Sequence, residues 1–344
     1  MLATGRGELN FMSYRARFLV AITLLLFGSG AVARDAGITP AALTTMATSG
    51  DYRFTRVSEN PTTEGIRRQV LSFEVDGLHQ YALLLWPAGE QPQQGWPVLQ
   101  FNHGFHPDPP RNGFNAEGES DRPGDYYRET AQAFARAGFA VVVPDYRGHN
   151  ISDGGEFTSR VLADAWYSRD AVACFLALDS LEGLDMDQAY MLGHSMGGAI
   201  TLRALLALGP RVKAGALWSS SGAGGLASLM GKEMADGLVE DHSGVSKPML
   251  DDLRRELQEL GPGLALQDMD PLFNASAIAA PISIQHAAGD ASTSVAASMD
   301  LAARLYLAGK NYQLKIYPGS DHLFTGENFA TAVERDIAWF RAHR

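Results

Sequence analysis

Three polar side chains, far apart in the sequence, have the types and settings that acyl transfer requires. Ser195 stands in Gly193-His194-Ser195-Met196-Gly197-Gly198, a G-x-S-x-G segment between a run with strand character and a run with helical spacing. A serine hydroxyl is a weak nucleophile at neutral pH, so it needs a base within reach and a further group to fix that base. The flanking glycines suit a strained turn that lifts the hydroxyl to the N-terminus of the next helix, where the dipole favours developing negative charge. Asp290 ends Gln285-His286-Ala287-Ala288-Gly289-Asp290 after a later strand-like run. His322 lies in Pro318-Gly319-Ser320-Asp321-His322-Leu323-Phe324, after the last one. The chain order serine, acid, histidine is that of a strand-turn-helix nucleophile served by later strands. Ser195 is therefore expected as nucleophile, His322 as base and Asp290 as the acid that orients the base.

Each assignment has rivals. His286 precedes the acid candidate at a strand end, where a histidine more often satisfies a local hydrogen bond. Asp321 adjoins His322, but adjacent side chains in a loop rarely face each other, so it is read as solvated or turn-forming. His242 is given a surface role. The oxyanion needs fixed donors, and two main-chain amides are expected: that of Met196, directly after the nucleophile, and that of Phe105 in Asn102-His103-Gly104-Phe105-His106. His103, His106 and His149 raise a metal hypothesis, but nothing nearby supplies the carboxylate spacing of a catalytic zinc, and neither metal nor cofactor is expected. The single cysteine, Cys174, sits in an apolar run and is read as a small buried helix residue; one cysteine excludes an intramolecular disulfide.

The elements that must position these residues alternate. Thr39-Pro40 opens a short helix to about Ala47, read as peripheral. Gln69 to Val75 and Tyr81 to Trp86 form a hairpin around Asp76-Gly77. Strand-like runs follow at Pro97 to Phe101, Ala140 to Val143, Ala189 to Gly193, Ala214 to Trp218, Pro281 to His286 and Tyr312 to Tyr317. Helical patterns fall at Tyr126 to Ala137, Val161 to Leu181, Met196 to Leu208, Ser294 to Ala308 and Asn328 to His343. This order predicts an α/β protein with a mostly parallel central sheet, right-handed crossovers and helices on both faces. From about 222 to 278 the rhythm breaks, with one charged amphipathic helix at Met249 to Leu260. A structureless stretch of that length is uncommon, so it is read as a small helical lid, its Leu226, Leu229, Met230, Leu238 and Met249 roofing an acyl pocket.

The chain has 344 residues, 46% hydrophobic and 19% charged, with 36 glycines and a net charge of -11. Such a composition fits a globular core, and the acidic balance without a basic stripe argues against nucleic acid. Arg15 and Arg17, the apolar run Phe18 to Phe27 and Ala31-Val32-Ala33 have the order of a secretory signal peptide. The run is short for a bilayer, so no stable membrane span is expected. Residues 1–33 are thus read as an N-terminal extension and export leader, with translation starting at Met1 or Met12. Residues 34–344 are read as one catalytic domain, periplasmic or secreted. Oligomeric state is not legible.

The motifs named above, together with Pro144-Asp145-Tyr146-Arg147-Gly148-His149, resemble the α/β-hydrolase superfamily from about Gln69 to the C-terminus. The likeness is greatest to prolyl-oligopeptidase-like catalytic domains, dienelactone-hydrolase-like proteins and bacterial esterases of the feruloyl esterase kind. Such esterases often carry glycine where Asn150 stands, and asparagine tolerates the left-handed backbone that turn needs. The resemblance implies the α/β-hydrolase fold and a serine hydrolase that cleaves small carboxylic esters through an acyl-enzyme. A serine peptidase acting on short peptides is the alternative, and a catalytically silent binding protein a third. Haloalkane dehalogenases and epoxide hydrolases need aspartate at the elbow, which Ser195 rules against.

Overall fold

A computed structural model of the chain describes residues 37–61, 64–106, 127–221, 247–261 and 269–344, all within the unit Asp35–Arg344. Nine strands make one sheet: β1 (Thr55–Pro61), β2 (Arg67–Val75), β3 (Leu78–Trp86), β4 (Trp96–Asn102), β5 (Ala140–Asp145), β6 (Leu184–His194), β7 (Ala214–Trp218), β8 (Ile282–Ala287) and β9 (Tyr312–Tyr317). Their spatial order is β1-β2-β3-β5-β4-β6-β7-β8-β9. The first three strands and the β3–β5 pair are antiparallel, and all pairs from β5 to β9 are parallel.

The described helices are α1 (Pro40–Ser49), α2 (Arg128–Arg136), α3 (Ala163–Ala177), α4 (Met196–Leu208), α5 (Lys247–Leu260), α6 (Val295–Leu307) and α7 (Gly326–Ala342). Side chains alternate across the sheet with period two, and the two faces gather separate cores. Val98, Val142, Met191, Leu217 and Ile284 pack with α1, α3, α4 and α6, whereas Leu99, Val141, Leu192, Ala216 and Ala287 pack with α2 and α7. Near-continuous apolar runs in β5 and β7 follow from this double cover. Among the described residues no helix is long and apolar enough to cross a membrane.

The hairpin turns at Asp76 and Gly77, both with positive φ (56° and 75°), and Val75 faces Leu78 across it. Three readings are corrected, and one strand, β1, has no counterpart among the expected elements. α1 is not peripheral: Leu43 and Met46 are buried in the main core. α3 is shorter than the run that announced it, ending at Ala177 before a single 3-10 turn, Leu178–Ser180. β6 begins five residues early, because a register shift opposite Pro97/Val98 lets the polar stretch from Leu184 pair with Trp96. The edge strand β1 carries no apolar alternation, and its pairing depends on β2.

Of the expected insertion, α5 and residues 269–278 are described, and the latter are not lid: Leu272, Ala275 and Ile278 are buried in the main core. Its Leu253 packs with Ile38, Leu162, Ala165 and Met269. The buried Glu256 carboxylate accepts the Val161 and Leu162 amides at 2.8 and 3.0 Å, capping the start of α3 where a negative charge suits the dipole. The rest of the expected lid (222–246 and 262–268), His242, and the expected leader with Met12 lie outside the described residues.

Candidate active site

β4 is flanked by β5 and β6; the β4–β5 crossover runs through α2 on one face and the β5–β6 crossover through α3 on the other. The carboxyl end of such a switch point is an open crevice. Ser195 stands there, between β6 and α4, with φ 54° and ψ −123°, a conformation that costs an L-residue on the order of 1–3 kcal/mol. Three backbone bonds hold it: Ser195 N–H donates to Trp218 O at 3.0 Å, and Ser195 O accepts from Gly198 N–H at 2.9 Å and from Ser221 N–H at 3.0 Å. The glycines are explained by crowding. A Cβ on Gly193 would overlap Gly197 O and Thr201 Oγ1, and a Cβ on Gly197 would overlap Asn102 O.

Asp290 and His322 are brought together. β8 and β9 extend their pairing past their ends, with Ala288 N–H on Tyr317 O at 2.9 Å and Gly289 N–H on Gly319 O at 2.8 Å. This sets the two loops side by side, and His322 Nδ1 meets Asp290 Oδ2 at 2.7 Å. A carboxylate only accepts, so Nδ1 carries the proton and Nε2 presents a lone pair. Burial opposes ionisation of Asp290, but hydrogen bonds from His322 and from the Thr293 and Ser292 amides outweigh it and lower its pKa to about 2. Those amides reach Asp290 Oδ1 at 3.0 and 2.8 Å.

Thr293 escaped the sequence reading. Its hydroxyl lies 3.0 Å from Asp290 Oδ2 and 2.8 Å from Ser219 O, so its single proton serves one or the other. The signal was available, since a hydroxyl residue three positions after an aspartate is a common turn device. His286 accepts from Ser298 Oγ at 2.8 Å and donates Nε2–H to Thr293 O at 3.1 Å, with Asp290 Oδ2 3.4 Å away. Burial lowers its pKa, and a neutral, locally bonded ring is what the sequence suggested. Asp321 accepts from Thr325 Oγ1 at 2.5 Å across the turn.

Ser195 is partly exposed, and its hydroxyl makes no hydrogen bond among the described residues. His322 is held beside the elbow through His194: the two rings are centred 4.7 Å apart, and His194 Nε2 lies 2.8 Å from His322 O. Gly104 is also adjacent, since a Cβ there would lie 3.0 Å from Ser195 Cβ. That puts the Phe105 amide's loop against the nucleophile, while the Phe105 ring is exposed. Met196 opens α4, so its amide has no intrahelical acceptor.

Among the described residues there is no group of three or more metal-capable side chains. His103 instead stacks on Tyr146, ring centres 4.4 Å apart, with His149 edge-on to both. Burial lowers their pKa values to about 4 and about 3, so both rings are neutral packing elements. Arg147 is buried against Asp170, donating Nη2–H to Oδ1 at 2.7 Å, and Asn150 adopts the left-handed conformation at φ 48°. Cys174 is buried on α3.

Comparison with known proteins agrees with this architecture. The α/β hydrolase fold family model matches residues 112–239, and the prolyl oligopeptidase family model matches residues 249–344. No curated protein matches the sequence at a significant level. Among solved structures, acetyl xylan esterase 1 of a Thermoanaerobacterium species superposes with a TM-score of 0.59 at 14% identity, covering 89% of this chain and 94% of that one. An acetyl xylan esterase of a Paenibacillus species gives 0.59 at 18% identity, covering 89% and 93%. Dipeptidyl peptidase 4 of Porphyromonas gingivalis gives 0.57 at 17% identity over 85% of this chain. The chain spans about a third, 35%, of that peptidase's length. By sheet order, elbow and both partial family matches, the chain has the α/β-hydrolase fold.

Proposed function

We propose that the protein is a serine hydrolase that cleaves small carboxylic esters, with Ser195 as nucleophile, His322 as base and Asp290 as orienting acid. The observation that carries this reading is the 2.7 Å bond from His322 Nδ1–H to Asp290 Oδ2, which leaves the lone pair on Nε2, with His194 tying the His322 loop to the strand that ends at the strained Ser195. Ser195 Oγ attacks the ester carbonyl carbon as its proton passes to His322 Nε2. The amides of Phe105 and Met196 hold the oxyanion. Collapse expels the alcohol, which takes the proton from Nε2; water then attacks the acyl-enzyme, His322 accepts its proton, and the acid and free Ser195 are regenerated. The hydroxyl-to-imidazole bond forms as substrate binds, since catalytic hydrogen bonds often close only in the substrate complex.

The presence of two acetyl xylan esterases among the similar structures supports the ester reading. The prolyl oligopeptidase match over 249–344 favours the second reading, hydrolysis of short peptides. Turnover of nitrophenyl acetate against aminoacyl nitroanilides separates the two. Ser195→Ala is expected to abolish whichever is seen, together with fluorophosphonate labelling; an active Ser195→Ala protein overturns the reading. In the same proposal residues 1–33 direct export, with cleavage near Arg34. The intact mass of precursor and exported protein tests the leader and distinguishes a start at Met1 from one at Met12.

A further inference from the structure

We infer that Tyr127 and His194 are positioning residues, forming a one-way hydrogen-bond chain that ties the loop bearing the Phe105 amide to the loop bearing His322. The inference rests on the roles proposed above for Ser195, His322 and Phe105. Gly104 N–H donates to Tyr127 Oη at 3.0 Å, and Tyr127 Oη lies 2.7 Å from His194 Nδ1. At the other end of the ring, His194 Nε2 lies 2.8 Å from His322 O. A carbonyl only accepts, so Nε2 carries the hydrogen. Nδ1 of the neutral ring must then accept, and Tyr127 O–H donates to it. Every donor points the same way, from Gly104 to His322, and the tautomer is fixed by the partners. Burial keeps the His194 ring neutral, lowering its pKa to about 3, so the chain persists through the working pH range.

The fold gives this chain a task. β4, which leads into the Gly104 loop, is the neighbour of β6, but β9, which leads into the His322 loop, stands three strands away. At about 4.8 Å per strand the His322 loop must reach back roughly 14 Å over β7 and β8 to meet Ser195. Packing does not fill the space it crosses. A cavity of about 200 Å³ opens among Tyr127, His194, Trp218, Leu323, Phe324 and Phe329, directly beside that loop. The His194 bond to His322 O therefore anchors the base to the nucleophile's own strand. Tyr127 couples that anchor to the oxyanion loop. Both Tyr127 and His194 are buried, so the bond between them is shielded from bulk water.

The test uses Tyr127→Phe, His194→Ala, His194→Gln and their Tyr127→Phe combinations, with Ser195→Ala as control, all on the full chain. The substrate is nitrophenyl acetate, and melting temperature is followed alongside. Removing one oxyanion donor outright costs about 100-fold or more in kcat, so a displaced donor in Tyr127→Phe should cost about tenfold, with KM within about threefold. His194→Ala should lose about 100-fold, and His194→Gln, which keeps a donor for His322 O, should recover about tenfold of it. Tyr127→Phe should add almost nothing to His194→Ala, because a broken chain cannot be broken again. If Tyr127→Phe and His194→Gln keep kcat within twofold while Ser195→Ala is dead, the inference fails and the function stands. Losses that only track melting temperature, or that combine additively, also overturn it. If Ser195→Ala remains active, the functional reading falls and takes this one with it; should His194→Ala not fold, Tyr127→Phe and His194→Gln decide.

Discussion

Asp290→Asn offers a severe test of the proposed triad, because the structure dictates which way the new amide must turn. Two backbone N–H groups, from Ser292 and Thr293, donate to Asp290 Oδ1 at 2.8 and 3.0 Å. In the variant the side-chain carbonyl oxygen must stay there, since an NH₂ group would leave both amides facing donors. The NH₂ group then takes the place of Oδ2, 2.7 Å from His322 Nδ1. Nδ1 must now accept, so the ring proton moves to Nε2 and the lone pair needed by Ser195 is lost. A wrong tautomer of this kind costs about 10⁴-fold in kcat, or about 5.4 kcal/mol of transition-state stabilisation. KM should change little, because neither group binds the ground state. Asp290→Ala, which leaves the tautomer free, should be the less damaged of the two. Steady-state hydrolysis of nitrophenyl acetate at pH 7.5 is the assay, with melting temperature as the check on folding. A folded Asp290→Asn protein within tenfold of wild type would refute the proposed base and its tautomer together.

Other expectations follow from the surrounding structure. Asp170→Ala leaves the buried Arg147 guanidinium without the carboxylate it contacts at 2.7 Å, and should cost about 3–5 kcal/mol in urea unfolding; a loss under 1 kcal/mol would show that Asp76 alone suffices. Burial raises the Asp336 carboxyl from 3.8 to about 7, against hydrogen bonds from Ser283 and Trp218. The native state then holds the proton more tightly than the unfolded chain, so the Asp336 contribution to stability should be greatest below about pH 4, fall between about 4 and 7, and level off above. Asp336→Asn should flatten that fall between pH 4.5 and 8, and an unchanged slope in urea midpoints would contradict it. Gly197→Ala forces its Cβ into Asn102 O, so the elbow must shift. A shift approaching 1 Å should slow fluorophosphonate labelling on the order of 100-fold; wild-type labelling would disprove the crowding argument.

Much of the scaffold was legible because it obeys local rules. α4 and β7 have the expected limits, Met196–Leu208 and Ala214–Trp218, since a sharp glycine turn and a short fully buried run define their own ends. The Asp76-Gly77 hairpin and the left-handed Asn150 were legible for the same reason: backbone geometry near a turn is a property of two or three adjacent residues. β1 and the first residues of β6 were not, because their polar sequences become strands by pairing with β2 and β4.

The site divides along the same line. Residue order and turn chemistry alone nominated Ser195, Asp290 and His322, since each needs a loop after a strand and each motif is contiguous. That Asp290 and His322 meet at 2.7 Å depends on β8 and β9 continuing their pairing beyond the sheet. The parts played by Thr293, Tyr127 and His194 are of this second kind. Tyr127 touches His194 across 67 residues of chain, and nothing in either segment encodes the other. A hydrogen bond between distant segments is specified by packing of the whole sheet, and only the folded chain could decide it.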